Sequence, residues 1–213
     1  MREQTVDGIH FRTTMFLPPE QRAVLQKIEV RNIGAHNAAF ALSFDMRAGV
    51  TQKSSGWFAQ LPGEADNRLS WNSGKGRLTW TAASSRAASA QGISPTADEV
   101  AGGNVLKYNL TLAPGATREL HFAAALAASA AEAEALYDRL QTQFAELEQQ
   151  NQRRFDQLLR SSFTPGNSDF SGSLPRLRTT SETLWNLYHN GLKNLLTARR
   201  RSRAEHFADP ILG

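Results

Sequence analysis

The chain has 213 residues, 40% of them hydrophobic and 21% charged, and a net charge of +4. That balance excludes a disordered or collagen-like polymer, and the length leaves room for one full domain with an appendage. The absence of cysteine excludes disulfides, thiolate nucleophiles and cysteine-based zinc sites.

The positive charge comes from one place. Arg199, Arg200, Arg201 and Arg203 supply the whole excess, so no basic face extends over the chain and a nucleic-acid partner is not expected. Met1 to Asp7 lack the apolar run of a signal peptide, and no stretch of about 20 apolar residues suggests a membrane span. No membrane partner is expected, and a cytoplasmic location follows if that start is authentic.

Residues 9 to 126 read as strands, because apolar residues recur with period two between turn-forming clusters. Val24, Ile28 and Val30 fall on one side while Lys27, Glu29 and Arg31 take the other, and Asn32 to His36 supply a reversal. Ala38, Phe40, Leu42, Phe44 and Met46 then form one inward row. Leu69 and Trp71, then Leu78 and Trp80, flank Asn72-Ser73-Gly74-Lys75-Gly76, which predicts a hairpin. Leu106, Tyr108, Leu110 and Leu112 are answered by Leu120, Phe122 and Ala124 across Ala113-Pro114-Gly115-Ala116. Pro114 presets its dihedral and Gly115 accepts positive φ, so this turn predicts another hairpin. Short antiparallel strands at such spacing predict a β-sandwich over residues 1–128.

At Ser129 the period becomes helical. Ser129 and Glu132 have capping-box spacing, and Leu136, Leu140, Phe144, Leu147, Phe155 and Leu158 mark one face. A single helix to Ser161 would run about 50 Å, a connector rather than a core element. A Ser/Gly/Pro-rich loop follows, so residues 129–179 read as a linker. Thr179 and Glu182 offer a second capping box for a helix in residues 180–213. That helix carries Leu184, Leu187, Leu192, Leu195 and Leu196. Burying a leucine is worth roughly 1.5 to 3 kcal/mol, so the set rivals the ~5 to 15 kcal/mol that holds a domain folded. Such a helix needs a cover: the upstream protein, a partner chain such as a second copy, or a domain outside this chain, of which the last is the favoured expectation.

Phe170-Ser171-Gly172, then Leu174-Pro175-x-Leu177-x-Thr179 and Leu184-x-x-Leu187-Tyr188-x-x-Gly191-Leu192-x-x-Leu195-Leu196-x-x-Arg199-Arg200, following a sandwich and a linking helix, resembles the six-hairpin glycoside hydrolases. In that clan a β-sandwich precedes an all-helical toroid. The resemblance implies a mostly β fragment: the later part of an antiparallel sandwich in residues 1–128, incomplete at its N-terminal side, then a long linker helix and the first helix of a truncated α/α toroid. It implies a carbohydrate partner for the full-length parent and two catalytic carboxyl groups on barrel loops downstream of Gly213. No catalytic residue is therefore assigned within the chain.

The other candidates have plainer explanations. Glu64 and Asp66 share a loop and could bind calcium or act on a sugar, but a solvated turn explains them as well. Glu182 suits a helix start, and Glu205 and Asp209 lie in the tail. His10, His36, His121, His189 and His206 lack the spacing of a helical zinc site, so neither metal nor cofactor is expected. His121 alternates with Leu120 and Phe122 and is predicted to face solvent beside Glu119, whereas His189 suits helix packing. Gly74-Lys75-Gly76 lacks the remainder of a phosphate loop, and Asn109-Leu110-Thr111 is a chance-level glycosylation match. Of Trp57, Trp71, Trp80 and Trp185, which could stack on sugar rings, Trp57 is the substrate-binding candidate, because Ser55-Gly56-Trp57-Phe58 lies outside the strands. The rival reading is a stand-alone glycan-binding sandwich that dimerises through its helices.

Overall fold

The structure, a computed structural model, describes residues 1–51, 66–170 and 172–198. It divides into two compact units, Met1–Asn151 and Gln152–Gly213.

The first unit is an antiparallel β-sandwich with helices on one outer face. Its strands are β1 (Arg2–Val6), β2 (Ile9–Phe16), β3 (Ala23–Asn32), β4 (Ala38–Asp45), β5 (Asn67–Asn72), β6 (Arg77–Ala82), β7 (Ser85–Ser94), β8 (Glu99–Ala101), β9 (Val105–Leu112) and β10 (Thr117–Ala127). Among the described residues they form a seven-stranded sheet in the order β1-β2-β3-β10-β7-β6-β5 and a three-stranded sheet in the order β4-β9-β8. The even-numbered residues of β4 face inward as their spacing predicts, with Phe40 opposite Leu110, Leu42 opposite Tyr108 and Phe44 opposite Leu106. Between the sheets they meet Ile28, Val30, Leu78, Trp80, Ile93 and Leu120. The predicted β5–β6 hairpin is present, with Leu69 opposite Trp80 and Trp71 opposite Leu78; the Asn72 side chain accepts the Lys75 amide at 3.1 Å.

Two other reversals form, and one of them differs from expectation. The turn at Ala113–Ala116 forms, with Gly115 at φ +77 and the Ala116 amide on the Ala113 carbonyl. It does not close a hairpin: β9 pairs with β4 and β8, whereas β10 pairs with β3 and β7. The Asn32–His36 reversal also passes from one sheet to the other. The cause is Asn32, which is 1% exposed. Its side-chain amide donates to the carbonyls of His36 and Leu112, both at 2.8 Å, and its oxygen accepts the Gly34 amide. Its backbone exchanges hydrogen bonds with Gly115 and Ala116. One buried asparagine thus holds both crossings, and its polar groups are satisfied as burial requires.

The outer face of the large sheet carries α1 (Ala130–Thr142) and the start of α2 (Phe144–Ser161). Ser129 caps α1 by accepting the Glu132 amide, as its spacing predicts. The expected continuous helix is broken at Gln143, whose φ of −100 and ψ of 12 leave the helical range. The Thr142 hydroxyl donates to the Asp138 carbonyl one turn back, a bond that bends helices. The break keeps Phe144 and Leu147 on the sheet, where Phe144 meets Phe16 edge-on at 5.7 Å. Lys27 on β3 holds Glu148 at 2.8 Å, and that hydrogen bond raises the ammonium pKa above its ordinary value. A run of small residues makes this layer possible. Ala88, Ala90, Ala123 and Ala125 pack beneath Ala133, Tyr137 and Leu140, and a side chain at Gly92 would collide with Tyr137 and the Gly76 carbonyl.

The second unit contains the end of α2, an irregular segment and α3 (Glu182–Ala198). Asp169, with its side chain 8% exposed, pairs with Arg154 at 3.1 Å and accepts from the Ser161 hydroxyl. The N-cap of α3 is Ser181, which accepts the Leu184 amide, rather than the predicted Thr179; Thr179 instead accepts the Ser181 amide and shapes the approach. The Tyr188 hydroxyl donates to the Pro175 carbonyl.

Candidate functional site

Among the described residues, hollows beside β4, α1 and α3 and one bare face of α3 offer surfaces for chemistry. Among the described residues, β4 is hydrogen-bonded only to β9, and residues of β2 and β3 from the wider sheet lie beside it. The opening is a cleft of about 410 Å3 whose walls include Phe11, Phe44, Phe122 and Ile28. Thr13 and Gln26 also line it, and no described residue hydrogen-bonds their side chains.

Beside α1 lies a polar hollow of about 250 Å3, lined by Lys75, Ser94, Thr96, Tyr137, Asp138 and Gln141 among others. Its neighbour Arg77 is buried and donates to Asp138 and Glu134, both at 2.7 Å, while the Thr79 hydroxyl donates to the other Glu134 oxygen. These groups fasten α1 to β6. Burial pushes the Tyr137 phenol up to about 12 and raises that of Tyr108 further. Both tyrosines stay neutral through the physiological range, so neither supplies a base.

In the second unit an apolar hollow of about 530 Å3 is walled by Phe170, Leu174, Leu192, Leu195 and Leu196. Leu192 and Leu196 are buried, whereas Leu184, Leu187 and Leu195 are 52%, 69% and 69% exposed. The exposed leucines share one side of α3 with Gly191 at helical spacing. Around Gly191, apart from its chain neighbours and the adjoining backbone of its own helix, no atom of the described residues lies within 4 Å of where a Cβ would stand. The seam therefore has a shallow centre flanked by leucines.

No family model matches the sequence, and no curated protein matches it either. Solved structures do. One is described as a kojibiose phosphorylase from the human microbiome; it is 11% identical over 76% of this chain and 23% of that chain, with a TM-score of 0.46. Another, described as an aldose 1-epimerase of Escherichia coli K12, is 13% identical over 58% of this chain and 67% of that one, with a TM-score of 0.28. The chain thus spans less than a quarter of the phosphorylase's length.

Of the residues singled out from the sequence, Trp57, Glu64, Glu205, His206, Asp209 and the arginine cluster lie outside the described residues. Trp80 is buried and Trp71 packs on the same inter-sheet core. Trp185 is half-exposed and stacks on His189 at 3.9 Å, where His189 contacts the Trp185 carbonyl through Nδ1. His121 does not face open solvent: its ring stacks on Phe144 at 4.2 Å and 5°, because helices cover that side of the sheet, although Glu119 remains 3.5 Å away. Asp66 acts as a staple, accepting from the Thr51 hydroxyl and the Ser84 amide; the Thr51 bond leads in holding its carboxyl below the usual range. Among the described residues, no group of three or more histidine or acidic side chains is placed to hold a metal ion. The aromatic cleft beside β4 is absent from the sequence-derived candidates, since alternation marks Phe44 and Phe122 as inward without revealing that the described strands leave them lining a cleft with Phe11.

Proposed function

We propose that this chain is much of the sandwich, the linker and the first barrel helix of a six-hairpin glycoside hydrolase, and that its own task is to brace the catalytic barrel. The observation that carries the reading is the bare seam of Leu184, Leu187 and Leu195 around Gly191. Exposed leucines forgo roughly 1.5 to 3 kcal/mol each, and a glycine in a helix interior costs up to about 1 kcal/mol more. Both costs fall on this chain, and both are recovered if a second helix lies across the seam, because leucines then pack and the missing Cβ admits a close crossing. The motif from Leu174 to Leu196 supports the family, and the order of sandwich, linker and apolar helix supports the division of labour.

Under this reading the chain holds no acid–base pair of its own. Hydrolysis needs one protonated and one ionised carboxyl group on opposite sides of a sugar, and the barrel supplies both. Expression of the reading frame together with its genomic continuation provides the test. The longer chain is expected to cleave a glycosidic bond while this chain does not. A continuation that is not helical, or a longer chain without activity on any glycoside of a broad panel, would remove the reading.

A further inference from the structure

We draw no further inference here: the strongest candidate, the polar hollow between the Asn72–Gly76 turn and α1, carries nothing, because Asp138 and Gln141 in its wall already hold α1 on the wide sheet through Arg77 and the His121 carbonyl, and nothing in the structure shows what ligand would fill it.

Discussion

Two glycines separate what this chain needs for itself from what it offers to others. At Gly92 the space is already taken by Tyr137 and the Gly76 carbonyl, so a methyl group there would force the helix off the sheet. At Gly191 no described residue outside its own helix fills the space, and the residue sits inside α3, where glycine costs roughly 0.5 to 1 kcal/mol relative to alanine. Gly191→Ala is therefore expected to stabilise the second unit of the isolated chain by that amount, read as a later loss of helical circular dichroism in urea. A loss of stability instead would mean that the helix already uses the gap internally. The sequence marks Gly191 as a break in an otherwise leucine-rich helix. Only the neighbouring atoms distinguish a glycine that is filled from one left open.

Among the elements, the strands were legible and their partners were not. Period two assigned Phe40, Leu42 and Phe44 to one face correctly, and the Asn72–Gly76 turn to a hairpin. It could not reveal that β9 and β10 belong to opposite sheets, because an inward row is the same whether its neighbour lies beside it or across the core. β7 is not legible in the sequence for a different reason. Its alanines, serines and glycine have weak strand propensity, yet the strand lies in the middle of the wide sheet, where α1 leaves no room for larger residues. The deciding residue for topology, Asn32, reads as an ordinary turn asparagine. Asn32→Ala would strip partners from the Leu112 and His36 carbonyls and the Gly34 amide. Since a buried group left unpaired costs ~1 to 3 kcal/mol, a loss of about 3 kcal/mol is expected in denaturant titration. Asn32→Asp should also destabilise, because a carboxylate accepts from Gly34 but cannot donate to either carbonyl. If Asn32→Asp matched the parent chain, the two donated bonds would not be what fixes the crossings.

At the scale of the molecule, the two units differ in how completely each encloses its own apolar surface. The first has a core between its sheets and a second between the wide sheet and its helices. The second turns Leu192 and Leu196 inward and leaves Leu184, Leu187 and Leu195 to water. The sequence announced the apolar helix but could not say which leucines are used internally, because the apolar arc of α3 is wide enough to serve two surfaces. The central claim, that the outer part of this arc is made for helices beyond the chain, is tested most directly by light scattering across a concentration series. The parent is compared with the triple variant Leu184→Ser, Leu187→Ser, Leu195→Ser. The account predicts self-association of the parent that rises with concentration, a monomeric variant, and nearly equal unfolding midpoints for the two at low concentration. A parent that stays monomeric at high concentration, together with a variant that unfolds several kcal/mol more easily, would place those leucines in the chain's own interior and contradict it.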